Sequence, residues 1–418
     1  MAAHTPSTPD LRVEDVQQRL QQQIHAITDH ETVSLRDALN RILALDVISP
    51  LSVPPHDNSA MDGYAFNGTC LAEGRTVHWQ VVGTALAGKA WTQPIKAGQC
   101  IKIMTGAIMP TGLDTVVPLE LTERDGDSVQ FDTSKLSTGA NRRRLGEDLM
   151  AGQPALRAGQ RLAPAALGLL ASLGLQTLSV VRRIRVAYFS TGDEILSLGE
   201  PPREGAVYDS NRYTLTGLLT RMGIEVIDMG VVPDQPAALR AAFKRATTGA
   251  DAIVTSGGIS MGDADHTRAM MAEMGQVNFW RIAMRPGRPM AFGQLRGVDG
   301  NGVWLFGLPG NPVAAMVTFL IFVRPALQRL MGCRTSEPVL LKAQSAEAMR
   351  KNPYRTEYQR GIVTRESDGM LSVRTTGNQG SGVLRSMVEA NGLIVLPHGQ
   401  SAVAAGDSVD VLMFEGVL

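Results

Sequence analysis

Hydrophobic and polar positions along this chain change period several times, and each change predicts a different kind of element. Over 11–27 the apolar residues Leu11, Val13, Val16, Leu20, Ile24 and Ile27 recur at roughly helical spacing, with a glutamine-rich outer face. Residues 34–45 predict a second helix with Ser34 as N-cap, and Pro50, Pro54 and Pro55 stop helix formation beyond it. From 76 to 131 the runs 77–82, 100–104, 115–118 and 129–131 are short and β-rich, separated by Gly, Pro and Asp. They predict a small β domain. Residues 158–174 are apolar all round, with Pro164 where a first-turn proline belongs and Gly174 where a C-terminal glycine belongs, which predicts a buried helix.

At 184 the texture changes. Strand-like runs at 185–189, 225–229, 252–254 and 302–306 alternate with helix-like segments at 211–222, 236–247, 266–274 and 312–330. Such alternation predicts a three-layer α/β domain with a mostly parallel sheet. Ligands in such sheets lie beyond the carboxyl ends of the strands. Four loops sit there: 190–194, 230–234, 255–265 and 307–312, three of them glycine-rich and three carrying carboxylates. From 337 onward strands return at 339–343, 358–364, 371–375, 393–396 and 408–414, as in a compact sheet or barrel. Arg355-Thr-Glu-Tyr-Gln-Arg-Gly361 and Thr376-Gly-Asn-Gln-Gly-Ser-Gly382 are its polar punctuation.

A length of 418 residues supports two to four domains. Lys+Arg 40 balance Asp+Glu 40, which argues against a nucleic-acid binder that relies on bulk charge. Cys70, Cys100 and Cys333 are scattered and match no metal spacing, as suits a reducing compartment. The polar first ten residues lack the apolar core of a signal peptide, and no window reaches the uninterrupted apolar length of a membrane span. The expectation is a soluble cytoplasmic protein that binds neither nucleic acid nor membrane.

The densest candidate chemistry lies in Asp251-Ala-Ile-Val-Thr-Ser-Gly-Gly-Ile-Ser-Met-Gly-Asp-Ala-Asp265. Gly257 and Gly258 let backbone come close to a ligand, and N–H groups at a helix start suit an anion. Asp263 and Asp265 place carboxylates beside that anion, which makes sense once a cation joins them. An ordinary strand-to-helix turn explains this motif alone as well. Acids and glycines gathering from four loops at one sheet edge favour a phosphate-and-metal site. Asp57, Asn58, Ser59 and Asp62 precede an expected strand, as a hairpin turn at Asp62-Gly63 or as a site loop. Arg142, Arg143 and Arg144 run into Glu147 and Asp148, as a solvated face or a phosphate clamp. Arg281, Arg285 and Arg288 supply forks that match oxyanion geometry.

Taken in order, the motifs resemble those of the molybdopterin molybdenumtransferase family, the family of MoeA and the gephyrin E domain. They are Asp57-Asn-Ser-Ala-Met-Asp-Gly-Tyr-Ala65, Ile103-Met-Thr-Gly-Ala107, Arg142-Arg-Arg-Leu-Gly-Glu-Asp148, Phe189-Ser-Thr-Gly-Asp-Glu194, Ser256 to Asp265, Gly307-Leu-Pro-Gly-Asn-Pro-Val313 and Thr376-Gly-Asn-Gln-Gly-Ser381. The resemblance implies a cytoplasmic homodimer of four-domain subunits. It places a discontinuous helical connector over 11–50 and 149–180, a β domain over 51–148, the α/β molybdopterin-binding domain over 181–332 and a C-terminal β domain over 333–418. The implied reaction takes adenylylated molybdopterin and molybdate, cleaves the pterin–AMP phosphoanhydride with magnesium, and releases AMP and molybdenum cofactor. Implied partners are the molybdopterin adenylyltransferase and the apo-molybdoenzymes.

By position, the resemblance marks Asp62, Asp148, Glu194, Asp234 and Asp265 as catalytic acids, with Glu194 and Asp265 as magnesium ligands. Asp62 and Asp148 lie outside the α/β domain and would reach the site from another domain or from the partner subunit. It marks Asn211, Ser256, Gly257, Gly258, Arg281, Arg285, Arg288, Pro309, Gly310, Asn311, Arg360 and Ser381 as substrate-binding. The family often has lysines along 281–288, where this chain has arginines; Arg is a planar fork and Lys a point charge, and oxyanion binding is expected to survive the exchange. Two other readings are the adenylyltransferase step, whose α/β domain is shared, and a pterin carrier or scaffold without chemistry. The flanking β domains disfavour the first and the full set of acids disfavours the second.

Overall fold

The computed structural model describes residues 10–71, 76–258, 270, 271, 273–298, 300–334 and 337–415. The chain divides into two compact units, Met1–Glu31, Asn40–Ile42 and Val180–Leu418 forming one, Thr32–Leu39 and Leu43–Ser179 the other.

The larger unit opens with helix α1, Val13–Gln23, which buries Val13, Val16 and Leu20 and turns its glutamines outward. Its sheet contains β1 (Arg185–Thr191), β2 (Glu225–Val232), β3 (Ala252–Ser256), β4 (Gly275–Arg281), β5 (Pro289–Arg296) and β6 (Gly302–Leu308), in the order β2-β1-β3-β6-β5-β4. The pairs β1–β2, β1–β3 and β3–β6 are parallel, whereas β6–β5 and β5–β4 are antiparallel. The sheet is therefore mixed, extended by two strands the sequence pattern did not announce. Strand β4 alternates exposed and half-buried positions as an edge strand does, and β5 emerges directly from the Arg/Pro/Gly segment that reads as a loop.

Helices cover both faces. Successive side chains of a strand point to opposite sides. Val186 and Tyr188 join Val254, Phe306 and Leu308 in a core that includes Leu215 and Leu219 of α2, Ser210–Arg221. Ala187 and Phe189 join Ile253 and Leu305 in a second core with Leu239 and Phe243 of α3, Pro236–Ala246. Each fully buried Phe or Leu contributes about 1.5–3 kcal/mol, so β1 and β3 need apolar residues on both faces. The helix expected at 266–274 lies mostly outside the described residues.

The helical segment Pro312–Leu330, with 19 residues and a mean hydropathy of 1.5, is long and apolar enough to cross a membrane; 78% of it is buried inside the protein. Its apolarity serves the core, where Phe319, Leu320, Phe322 and Val323 are buried. A π turn, Phe319–Val323, interrupts it just before Pro325, which lacks the N–H for the next helical bond.

Strands Leu341–Ser345, Thr356–Arg365, Leu371–Thr375, Gly392–Leu396 and Ser408–Met413 pair in a closed ring. Closure leaves this barrel without a free edge. Met284 and Arg285 pair in parallel with Thr356 and Glu357, which ties the arginine segment to the barrel wall.

The smaller unit holds a six-stranded sheet in the order Thr115–Pro118, Gly63–Phe66, Gln99–Ile103, Thr76–Ala85, Ser128–Asp132, Thr122–Asp125. The helix expected at 34–45 is a single 3-10 turn, Leu35–Asp37, capped by Ser34 Oγ accepting from the Asp37 N–H at 3.3 Å. Asn40, at φ 62°, takes the left-handed conformation that stops it. The apolar helix Pro164–Ser172 has its first-turn proline but buries only Ala166 and Leu170, leaving Pro164, Ala165 and Gly168 exposed. The segments 11–50 and 149–180 thus contain one α-helix each, and those two helices fall in different units.

Candidate active site

The carboxyl ends of β1, β3 and β6 open into a cleft of about 1260 Å³ within the larger unit. Thr191 ends β1, with Gly192 and Glu194 after it; Ser256 ends β3, with Gly257 and Gly258 after it; and Pro309, Gly310 and Asn311 follow β6. Asp209, Asn211 and Asp234 line the same cleft, as do Arg285 and Arg288. Arg355, Gln379 and Ser381 bring the barrel to its wall.

Two glycines are required where β3 ends. Gly257 has φ 92°, and a Cβ there would lie 2.2 Å from the Thr191 carbonyl oxygen; at Gly258, φ 66°, it would lie 2.7 Å from Thr191 Cγ2. Only glycine lets the β1 and β3 loops come this close. The Gly257 N–H donates to the Leu308 carbonyl at 3.1 Å. Asn211 then joins the floor: its Nδ2 donates to Ser256 Oγ at 2.6 Å and to the Gly310 carbonyl at 2.7 Å. Across the cleft, Asn311 Nδ2 donates to Ser381 Oγ at 3.1 Å.

Among the described residues, three buried oxygens in this cleft have no hydrogen-bond partner: Asp209 Oδ2, Thr191 Oγ1 and Asn211 Oδ1. Asp209 caps α2 through Oδ1, which accepts from the Arg212 N–H at 3.0 Å, leaving the second oxygen unengaged. Leaving a buried carboxylate oxygen unpaired is costly, and native sites that do so commonly take a ligand there. Among the described residues no group of three or more His, Cys, Asp or Glu is placed to hold a metal ion. The orphaned atoms are nevertheless all hard oxygens, the donor type that suits magnesium.

The arginines divide. Asp10 accepts from Arg288 Nε at 2.8 Å and forms an ion pair with Arg281 Nε at 3.2 Å, so these two share one carboxylate, and Arg281 does not line the cleft. Arg285 lines both this cleft and a smaller one of about 260 Å³ that Arg360 also lines. Arg360 is 1% exposed and donates to Ser386 Oγ at 3.0 Å and to the Gly380 carbonyl at 3.0 Å, with no carboxylate among its hydrogen-bond partners in the described residues. Burial, reinforced by repulsion from Arg285, pushes its guanidinium down to about 10.

Twelve residues singled out in the sequence line the main cleft: Glu194, Asn211, Asp234, Ser256, Gly257, Gly258, Arg285, Arg288, Pro309, Gly310, Asn311 and Ser381. Arg360 lines the smaller one, and Asp265, with Asp263, lies outside the described residues. Asp62 and Asp148 belong to the smaller unit. There Asp62 Oδ1 accepts from the N–H and the hydroxyl of Thr105, both at 2.7 Å, and these bonds hold its carboxyl below the usual value. Gly63 is not a hairpin glycine; a Cβ there would lie 2.0 Å from the Val117 carbonyl oxygen, so it permits close strand packing. Asp148 is exposed, and its backbone N–H donates to the Val53 carbonyl at 3.0 Å. Sequence reasoning missed Asp209, Thr191 and Arg355. Asp209 heads Asp209-Ser-Asn211, an N-cap signal that hides a second role, and Arg355 sits in a segment readable as a plain turn.

Fold and cleft together define a multidomain chain built on an α/β domain whose ligand cleft lies at the carboxyl edge of its sheet. Three family models match it: the MoeA N-terminal region (domains I and II) over residues 11–174, a probable molybdopterin binding domain over 187–329, and the MoeA C-terminal region (domain IV) over 342–414. A molybdopterin molybdenumtransferase of Haemophilus influenzae is 38% identical over 409 residues, covering 98% of this chain and 100% of that protein. One from Nostoc is 36% identical over 390 residues, covering 92% and 88%. The crystal structure of the molybdopterin biosynthesis moeA protein from Pyrococcus horikoshii matches with a TM-score of 0.82 at 25% identity, covering 97% of this chain and 100% of that one. The chain belongs to the molybdopterin molybdenumtransferase family, a family of transferases.

Proposed function

We propose that this protein inserts molybdate into adenylylated molybdopterin, cleaving the pterin–AMP phosphoanhydride with magnesium and releasing AMP and molybdenum cofactor. The observation that carries this reading is the single cleft in which glycine backbone, acidic side chains and arginine forks meet at the carboxyl edge of β1, β3 and β6. Both substrates are anionic where they react. Gly257 and Gly258 line the cleft without side chains that would crowd a phosphate, and Arg285 and Arg355 offer guanidinium groups for the diphosphate or for molybdate. Arg360, which among the described residues has no carboxylate hydrogen-bond partner, joins Arg285 and Arg350 in the smaller cleft, whose three guanidinium groups outnumber the carboxylates of Glu347 and Glu357 there and favour an oxyanion.

Magnesium fits the oxygen-rich floor, where Glu194 and Asp209, together with Asp265, would hold it. When bound it neutralises charge building on the departing phosphate. Asp234 adds a carboxylate to the same wall, and its backbone N–H donates to Asp193 Oδ1 at 3.2 Å. Asn211, fixed between Ser256 and Gly310, holds the β3 and β6 loops in register so that the substrate meets a preformed surface. The family resemblance extends the proposal to a homodimer, which light scattering would establish, and to Asp62 and Asp148 as further reacting acids.

The test is AMP release from adenylylated molybdopterin and magnesium, with and without molybdate. Molybdate-dependent release supports the reading. Pterin retained intact would move the weight to a carrier, and pyrophosphate release from ATP to the adenylyltransferase step.

A further inference from the structure

The buried carboxylate of Glu357 has no role in the reading above, yet its residue lines the smaller cleft and bonds an arginine of the larger one. Its residue is 2% exposed. Oε1 accepts from Arg355 Nε at 2.9 Å and from the Asn352 N–H at 3.3 Å, and Oε2 accepts from Gln359 Nε2 at 3.2 Å. Arg355 spans the distance to the cleft: its side chain is 31% exposed, and the residue lines the large cavity. Among the described residues its Nη groups make no hydrogen bond.

A guanidinium bound only through Nε is an oriented fork. It keeps its two Nη groups for a second, planar partner, the geometry that phosphate and other tetrahedral oxyanions accept in pairs. The surroundings stiffen the arrangement. Lys351, buried next to Asn352, donates from Nζ to the carbonyls of Gln400 at 2.6 Å and Asn352 at 3.2 Å, which pins the loop that carries Arg355. The strand pairing of Arg285 with Glu357 places the other cleft arginine on the adjoining backbone.

We propose that Glu357 is a positioning residue: it anchors Arg355 by its Nε and presents the remaining fork to an anionic group in the cleft. The anion is a tetrahedral oxyanion, supplied either by inorganic molybdate or by the phosphate ester of the nucleotide product. The idea rests on the functional reading given above, in that the cleft is taken to bind these anions. A buried glutamate that merely balances Lys351 and Arg355 would serve stability alone.

The experiment is a calorimetric titration of the full-length protein with sodium molybdate in one arm and AMP in the other. Wild type, Arg355→Ala, Glu357→Gln and the double variant form a cycle, with melting temperatures measured alongside. The arm that responds identifies the anion. Arg355→Ala is expected to weaken that anion about tenfold to a hundredfold, the range for a charge-assisted hydrogen bond. Glu357→Gln should weaken it about tenfold by itself and less than about twofold in the Arg355→Ala background. Glu357→Asp, which keeps the charge, should recover part of the loss, and it carries the test if Glu357→Gln fails to fold. Equal losses from Glu357→Gln with and without Arg355, no loss in either arm, or no binding of either probe to the wild type would overturn the proposal. Failure of the functional reading would look different: anion binding intact, with the cycle as expected, but no molybdate-dependent AMP release.

Discussion

Asn311 and Ser381 meet across the cleft, Nδ2 to Oγ at 3.1 Å, and the backbone repeats the connection where the Val313 N–H donates to the Ser381 carbonyl at 3.0 Å. One residue follows strand β6 and the other belongs to a barrel loop, so this pair fastens the barrel to the carboxyl edge of the sheet. Ser381→Ala removes the side-chain bond and keeps the backbone one. A loss of about 1 kcal/mol in stability is expected, with a larger effect on substrate KM, checked by denaturant titration and steady-state kinetics.

Gly257→Ala tests the close approach of the β1 and β3 loops. A methyl group 2.2 Å from the Thr191 carbonyl oxygen cannot be accommodated without moving backbone, and φ 92° is unfavourable for alanine. The variant should lose roughly 2 kcal/mol or more and most of its activity. Gly152→Ala is a control with an equally unusual φ of 81° and nothing within 4 Å, so it should lose less. Thermal unfolding of the two variants side by side decides the matter.

Asp209→Asn keeps the cap on α2, since an amide oxygen accepts from the Arg212 N–H as well as a carboxylate does. It removes the buried negative charge whose second oxygen is unpartnered. Without magnesium the variant should be as stable as the wild type or more stable, by up to about 1 kcal/mol. With magnesium it should lose the stabilisation the wild type gains. Melting curves with and without the ion measure both effects.

Thr105 holds the Asp62 carboxyl low, through its N–H first and its hydroxyl second. A depressed carboxyl stabilises the folded state above its ordinary value and loses that contribution as pH falls through the folded value. Thr105→Val deletes the hydroxyl bond only. Carbon-detected NMR titration should find the wild-type Asp62 below 3.8 and the variant shifted upward toward that value.

Cys100 is fully buried in the β sheet of the smaller unit, and burial pushes its thiol up to about 12. The thiolate is the reactive form, so iodoacetamide at pH 8 should leave Cys100 unmodified until the protein is denatured. Peptide mass mapping reads the outcome directly.

Much of this arrangement was legible from residue pattern because the strongest signals were local. The runs beginning at Arg185, Ala252 and Gly302 are apolar on both faces, which only a covered parallel sheet requires, and the loops after them were therefore candidate site loops. Strand β4 was invisible because an edge strand needs few apolar residues. The turn at Leu35–Asp37 imitated a helix because the periodicity was right and the stop, a left-handed Asn40, has no unique sequence mark. Arg281, Arg285 and Arg288 read alike in the sequence, whereas pairing to Asp10 is a contact between residues far apart in the chain. Asp209 was hidden by having two jobs, since a cap is sufficient reason for an aspartate before a helix.

The Asp10 contact has a practical meaning for any affinity measured on this protein. One carboxylate near the start of the chain offsets two guanidinium groups, one of them in the cleft wall. A preparation clipped at that point by a protease would hold a more cationic cleft, bind oxyanions more tightly, and show a steeper dependence on salt. Batches that differ only in N-terminal trimming would then disagree about selectivity while agreeing in every residue of the cleft itself.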